Sequence, residues 1–179
     1  MSLDTTLLQP TIATDRFVLR PPQTSDQGLL THYASDKRVA AMTASVPHPL
    51  PPGTMEAFLQ RAAAPDRIED VWVMDATLSG GTEVMGLISL TRMDRGQSEV
   101  GFWVAPPFWN THVARDALLA LVAANPQGNC TMFASVFQDN TPSARVVTNC
   151  GFEYIGDAEA YSVARGANVP TWTYLKKLA

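Results

Sequence analysis

The chain has 179 residues, of which 46% are hydrophobic and 17% are charged, and its formal net charge is −4. These values are typical of one folded domain over residues 1–179, and they exclude a disordered chain. The thirteen Lys and Arg residues are scattered, which argues against a nucleic-acid partner. The longest apolar run, Ala117 to Ala124, is too short for a membrane span, and the N-terminus lacks a signal-peptide pattern. We therefore expect a cytoplasmic protein with no membrane contact.

The first part of the chain predicts a strand and two helices. Residues 15–20 have the composition of a short strand, and residues 27–34 and 54–63 predict helices. Between the helices, Val46 to Gly53 contains four prolines and is expected to be an extended loop.

A hairpin between residues 71–78 and 84–90, joined through Ser79-Gly80-Gly81, decides the fold class. Because these strands are antiparallel neighbours, the order of elements fits a single α/β (α+β) domain better than a doubly wound parallel sheet. We expect a mixed, mostly antiparallel central sheet of six to seven strands flanked by about four helices.

Residues 98–124 predict a strand, a tight polar loop and a helix. Alternate residues from Val100 to Val104 face one side of the strand, and the helix carries an apolar stripe. Asn110 and Thr111 are the expected N-caps of this helix. Backbone N–H groups at a helix start, with the positive end of the helix dipole, favour a phosphate group.

A second strand and helix follow at residues 131–137 and 142–150, with Gly151 at the expected C′ position. Two successive strand-to-helix units suggest a cofactor site. Closing strands are expected near residues 152–157 and 171–175.

The two cysteines, Cys130 and Cys150, are too far apart for a CxxC redox or zinc motif, so we expect a reduced protein without a metal site. Cys150 lies on one predicted helix stripe with Val146 and Val147. We interpret it as a core residue rather than a nucleophile.

Two segments carry a resemblance to a known family: SEVGFWVAPPFWNTHVARDAL, residues 98–118, and QDNTPSARVVTNCGFEYIG, residues 138–156. Together they resemble the GNAT superfamily of acyl-CoA-dependent N-acetyltransferases, most closely the branch that includes ribosomal-protein N-terminal (alanine) acetyltransferases. Asn140, Ser143 and Gly151-Phe152 match a distinctive spacing of that family. The resemblance extends over nearly the whole chain and implies a single GNAT-like domain.

The chain departs from the family at the loop that binds the CoA pyrophosphate. The related branch has Trp-Gly-Arg/Lys-Gly-Tyr-Ala, whereas this chain has WNTHVA from Trp109 to Ala114, without either glycine or the basic residue. A side chain in place of glycine crowds the ligand or strains the turn by roughly 1 to 3 kcal/mol. Asn110 is the milder change, because Asn adopts left-handed conformations readily. His112 either hydrogen-bonds a phosphate when protonated or fills the space that the phosphate needs.

The resemblance implies that acetyl-CoA is the co-substrate. The expected pyrophosphate site is the backbone of Asn110, Thr111, His112, Val113, Ala114 and Arg115. The expected pantetheine site is the main chain of the splayed strand end at Phe102, Trp103 and Val104. Asn140 resembles the family Asn that reaches the pantetheine arm or the neighbouring backbone; the alternative is a turn or cap residue before Thr141-Pro142.

Ser143 and Glu99 are the expected catalytic residues. By resemblance, Ser143 lies in the first helical turn, where its hydroxyl protonates the leaving thiolate. The alternative is a helix-start residue with no chemical role. Glu99 resembles a family carboxylate that accepts the amine proton, directly or through a water, and by alternation it shares a face with Gly101 and Trp103. The alternative for Glu99 is a solvated strand residue.

Two functions remain open. The first is an N-acetyltransferase that moves an acetyl group by direct transfer from acetyl-CoA to a primary amine on a small molecule or a protein N-terminus. The second is a non-catalytic GNAT-fold binding or regulatory protein whose altered loop no longer holds CoA. We favour the enzyme, because backbone amides do most of the phosphate binding and survive substitution. A homodimer is compatible with the resemblance.

Overall fold

The computed structural model describes residues 9–178 of the chain. The prediction about a signal peptide concerns mainly residues 1–8, which lie outside the described residues. Within the described part, no helix combines the length and the apolar character that a membrane span requires.

The described residues form one mixed sheet of eight strands, covered by five α-helices. The strands are β1 Ile12–Ala13, β2 Val18–Arg20, β3 Glu69–Asp75, β4 Gly86–Met93, β5 Gln97–Val104, β6 Thr131–Phe137, β7 Glu153–Ser162 and β8 Ala167–Lys177. The helices are α1 Gln27–Ala34, α2 Lys37–Ala40, α3 Thr54–Ala63, α4 Val113–Ala124 and α5 Thr141–Asn149. The strand order is β1-β2-β3-β4-β5-β6-β8-β7, and every neighbouring pair is antiparallel except β5 and β6. The predicted fold class is confirmed.

Two short elements raise the counts above the prediction. β1 has two residues and α2 has four, too few for hydrophobic periodicity to show in the sequence. β1 joins the sheet through a tight turn, in which the Thr14 N–H donates to the Phe17 carbonyl at 2.8 Å. The additional strand, β1, therefore depends on this turn rather than on a hydrophobic pattern.

The predicted strand over residues 71–78 ends earlier, at Asp75. Oδ1 of Asp75 accepts hydrogen bonds from the Thr77 N–H at 2.8 Å and from the Thr77 hydroxyl at 2.7 Å, which turns the chain out of the sheet. Leu78 is consequently 84% exposed. The antiparallel pairing of β3 with β4 confirms the predicted hairpin.

Helices cover both faces of the sheet. On one face, Leu30 of α1 and Leu59 of α3 pack against Val71, Val73 and Leu87. On the other face, α4 and α5 pack against a second core cluster that contains Trp72, Ile88, Leu90, Val100 and Met132. The predicted stripe of α4 is confirmed, since Val113, Ala117, Leu118 and Leu121 are buried.

The structure confirms that Cys150 is a core residue. It is buried against the second cluster, and burial raises the pKa of its thiol to about 11. Such a thiol stays protonated and unreactive at neutral pH. Gly151 follows it at a φ of +87°, a left-handed conformation that favours glycine after a helix end.

Candidate active site

A cleft opens where β5 and β6 part. The two strands pair only from Gln97–Val100 against Thr131–Ala134. Beyond that point β5 stays on β4 as far as Val104, and β6 stays on β8 as far as Phe137. The cleft is lined by Met42, Val100, Gly101, Phe102, Ala134, Ser135, Val136, Asn140 and Ser143.

The hydrogen-bond pattern of β5 decides which backbone groups face this cleft. Ala105 donates to the Met85 carbonyl at 2.8 Å, so alternate residues of β5, including Trp103, bond to β4. The Trp103 carbonyl accordingly lies against Gly86, where a Cβ on residue 86 would come within 2.3 Å of it. The backbone groups of Phe102 and Val104 point the other way, towards the opening. The structure thus separates Trp103 from the two neighbours predicted with it, and its side chain packs on the α1 and α3 side.

Asn140 and Ser143 lie together at the start of α5, and both line the cleft. Asn140 is the N-cap, and its Oδ1 accepts a hydrogen bond from the Ser143 N–H at 3.4 Å. The capping interpretation of Asn140 is confirmed, and its contact with a cofactor stays a prediction. Because a helix start favours negative charge, a thiolate in this cleft would be stabilised beside the Ser143 hydroxyl.

The prediction of Asn110 and Thr111 as N-caps of α4 was wrong. The N-cap is His112, with φ +65° and no capping hydrogen bond from its side chain. Asn110 is also left-handed, with φ +61°. These are the two positions where the related branch has glycine, so the loop adopts there the left-handed conformation that glycine favours. The strain is about 1–2 kcal/mol at His112 and less at Asn110, because Asn adopts this conformation more readily.

Side chains of Arg16 and Trp109 fix this loop. Arg16 Nη2 donates to the Thr111 carbonyl at 2.9 Å and forms an ion pair with Asp116 at 2.8 Å. Burial alone would raise the pKa of Asp116, but hydrogen bonds from Arg16 and Arg115 hold that pKa below its usual value. The indole N–H of Trp109 donates to the Val104 carbonyl at 2.6 Å, which ties the loop to the end of β5.

The fixed loop presents backbone donors at the start of α4. The first intrahelical bond runs from the Asp116 N–H to the His112 carbonyl at 3.0 Å. The amides of Val113, Ala114 and Arg115 therefore precede the first intrahelical donor and have no acceptor within the helix, as at any helix start. α4 packs on the face of the sheet that carries Val100 and Phe102, so these donors lie on that face.

Glu99 lies in a separate groove on the opposite face of the sheet. This groove is lined by Met93, Glu99, Phe133, Ala134, Ser135 and Thr173, and it shares Ala134 and Ser135 with the cleft. Successive strand residues point to opposite faces, so Glu99 and the cleft-lining Val100 are divided between the two cavities. Partial burial raises the pKa of Glu99. The structure thus brings Ser143, Asn140 and Phe102 together and places Glu99 across the sheet from them.

Sequence reasoning missed Met42 and Ser135, which both line the cleft. The one signal for Ser135 is its place on the predicted strand at residues 131–137, because alternation along β6 puts its side chain on the face of Phe133, in the Glu99 groove. Met42 carries none, because it follows a four-residue helix and reaches the cleft only through tertiary packing.

Comparison with known proteins identifies this arrangement. The sequence model of a family described as an acetyltransferase (GNAT) domain matches residues 16–153. The chain belongs to the GNAT acetyltransferase family. The resemblance stated from the sequence is confirmed. No curated protein sequence matches the chain.

Solved structures with the same fold include several acetyltransferases. The microcin C7 self-immunity acetyltransferase MccE, in complex with acetyl-CoA and AMP, has a TM-score of 0.78 at 15% identity, over 92% of this chain and 93% of that one. Spermidine N-acetyltransferase from Vibrio cholerae, in complex with CoA and spermine, has a TM-score of 0.77 at 13% identity, over 92% and 97%. The ribosomal-protein-S5-alanine acetyltransferase from Vibrio fischeri, of the branch named above, has a TM-score of 0.76 at 18% identity, over 95% and 97%.

Proposed function

We propose that this protein transfers an acetyl group from acetyl-CoA directly to a primary amine. The observation that carries the proposal is the parting of β5 and β6, which leaves the backbone of Phe102 and Val104 facing a cleft that also holds Ser143. MccE and the Vibrio cholerae enzyme, which share the fold, hold acetyl-CoA or CoA. Ligands of that kind fit a site made of strand backbone and a helix start.

Acetyl-CoA would lie along β5, with its pantetheine arm and its pyrophosphate held by backbone groups. The amides of the pantetheine arm would pair with Phe102 and with the Val104 N–H, since Trp109 already occupies the Val104 carbonyl. The pyrophosphate would bind the backbone of residues 110–115 at the start of α4. This placement uses every backbone site predicted for the cofactor except that of Trp103, whose backbone bonds to β4.

The chemistry needs one base and one acid. The amine nitrogen attacks the thioester carbon, the C–S bond breaks, and the acetyl group ends on nitrogen as an amide. Glu99 accepts the proton that the amine loses, directly or through a water, from the groove on its face of the sheet. Ser143 gives its proton to the leaving thiolate, and solvent restores that proton.

The acceptor would enter by the groove of Glu99. Apolar side chains of Met93 and Phe133 flank the carboxylate there. A primary amine on an apolar stem matches this lining, whether it belongs to a small molecule or to a protein N-terminus. The backbone donors at the start of α4 favour this enzyme over a non-catalytic protein, because they can bind a pyrophosphate whatever the loop side chains are.

An amine screen tests the proposal. Peptides with different N-terminal residues and a set of polyamines are incubated with acetyl-CoA, and free CoA thiol and acetylated amine are measured together. We expect at least one amine to be acetylated in equal amount to the thiol released. Thiol release without any acetylated amine, or neither product across the screen, would contradict the proposal.

A pH profile tests the base. We expect Glu99→Gln to lower kcat by about tenfold, because the groove is open to solvent and water replaces part of the base. Burial raises the pKa of Glu99, so the carboxylate is present above that raised pKa and is lost as the pH falls through it. The wild-type kcat should therefore show an acid limb above the usual glutamate range, and the variant should lack it.

The matched control is Glu69→Gln. Glu69 pairs with Thr91, which pairs with Glu99, so it lies in the same row of the sheet, and burial raises its pKa too. This variant should keep the acid limb. If Glu99→Gln keeps it as well, Glu99 is not the base.

His112→Gly distinguishes the two interpretations of His112. Glycine adopts the φ of +65° without strain, so we expect the variant to be as stable as the wild type or more stable, by up to about 1 kcal/mol. Because the imidazole is exposed at the loop surface, we also expect acetyl-CoA to bind at least as tightly. Weaker binding in a calorimetric titration would make His112 a phosphate ligand instead.

A further inference from the structure

A single arginine joins three segments around the cleft. Arg165, in the turn between β7 and β8, forms an ion pair with both oxygens of Asp139, at 2.6 and 3.0 Å. Its Nε donates to the Ala41 carbonyl at 2.8 Å, and its Nη2 lies 3.7 Å from the sulfur of Met42. The guanidinium carbon lies 5.0 Å from the centre of the Phe137 ring.

These contacts hold the Met42 segment against the cleft. A second bond from the same turn, Val163 N–H to the Ala44 carbonyl at 3.0 Å, fixes the other end of that segment. Asp139, the carboxylate partner, directly precedes the N-cap Asn140. Arg165 thus fixes the position of Met42 relative to α5.

This contact positions the segments that it joins and adds little to the free energy of unfolding. The Arg165 and Asp139 side chains are 24% and 56% exposed, and an ion pair so open to water contributes little to folding stability. The planar guanidinium is nevertheless suited to holding a carboxylate, a carbonyl and an aromatic ring at once.

We infer that Met42 is the wall that limits the length of the acyl group, and that Arg165 is the positioning residue that holds this wall in place. The inference rests on the proposed function. If Ser143 faces the CoA sulfur, the acyl group bonded to that sulfur must lie in the same cleft, which Met42 borders. On this inference an acetyl group would lie beside Met42, and each added methylene would meet the Met42 side chain.

The test compares the affinities of acetyl-CoA and butyryl-CoA by calorimetric titration. We expect the wild type to prefer acetyl-CoA by about tenfold or more, as a close-fitting apolar wall does. Met42→Ala should lose most of that preference by binding butyryl-CoA more tightly. Arg165→Met should lose part of it, because the wall is no longer fixed. If Arg165 has a purely structural role, Arg165→Met should lower the affinities for both thioesters by the same factor.

Arg92→Met is the matched control. Arg92 forms a similar ion pair, with Asp70 at 2.7 Å, and its side chain is 29% exposed, but it does not line the cleft. This variant should keep the wild-type preference even if it unfolds more easily. If Arg165→Met does not fold, Arg165→Lys and Asp139→Asn replace it, since each removes one part of the contact.

Each outcome decides one claim. A wild type that binds neither thioester overturns the proposed function. A wild type that binds both equally, or a Met42→Ala variant with the wild-type preference, overturns the acyl-wall inference while the function stands. A shifted preference in Met42→Ala with none in the folded Arg165 variants overturns the role of Arg165 alone.

Discussion

Replacing Ser143 with alanine should lower kcat by about ten- to a thousandfold and leave the affinity for acetyl-CoA nearly unchanged. Ser143 lines the cleft at the first turn of α5, where on the proposed mechanism its hydroxyl and the helix start would both stabilise a departing thiolate. This stabilisation exists only as the C–S bond breaks. Its loss therefore lowers turnover and not binding.

The measurement is kcat on an accepted amine, with the acetyl-CoA affinity determined separately by titration. Thr141→Ala is the control, because Thr141 carries a hydroxyl in the same helical turn but does not line the cleft. A Ser143→Ala variant with wild-type kcat, and at most about 1 kcal/mol less stable, would make Ser143 only a helix-start residue.

Replacing Arg20 with methionine should lower the free energy of unfolding by about 3–5 kcal/mol. Arg20 bonds both oxygens of Asp26, at 2.8 and 2.9 Å, and reaches Asp75 at 2.6 Å. The Arg20 side chain is 12% exposed and that of Asp26 is 1% exposed, so the variant leaves buried carboxylates without their cation. The variant also lacks the ion pair that joins β2 to the start of α1.

Urea unfolding followed by tryptophan fluorescence measures this effect. Arg38→Met is the control, because the Arg38–Asp36 pair is exposed and should contribute little to the free energy of unfolding. Equal losses in the two variants would show that burial adds nothing to the Arg20 cluster.

The Arg20 cluster also predicts a pH dependence of stability. Burial alone would raise the pKa of Asp75, but hydrogen bonds from Arg20 and Thr77 hold that pKa below its usual value. A lowered folded-state pKa gives stability that is present above the unfolded-state pKa and lost as the pH falls through the folded-state pKa. The wild type should therefore lose this contribution in acid, and Arg20→Met should lose less.

Local patterns predicted the elements that carry strong signals. The helix Gln27–Ala34 and the strand Thr131–Phe137 have the bounds that the sequence predicts, because periodicity and flanking turn residues act within a few positions. The lengths of the two closing strands, β7 and β8, were underestimated. Most of β7 is exposed, so no alternation marks its length in the sequence.

The site was predicted where it depends on one segment and missed where segments meet. Asn140 and Ser143 share one helix start, and the structure keeps them together at the cleft. Glu99 was expected on the face of Gly101 and Trp103, and the pleat of β5 does place it on the face opposite Val100, in a groove apart from Ser143. Met42 and Arg165 come from distant parts of the chain, and only tertiary packing joins them.

A calorimetric titration of the wild-type protein with acetyl-CoA tests the central claim, that the altered loop still binds the acetyl donor. The loop keeps left-handed residues at 110 and 112 and presents backbone donors at the start of α4. We predict saturable binding at one site per chain, with a Kd between about 1 μM and 1 mM. No binding heat at millimolar acetyl-CoA, together with an unchanged thermal unfolding temperature, would contradict the claim and make the protein a non-catalytic member of its family.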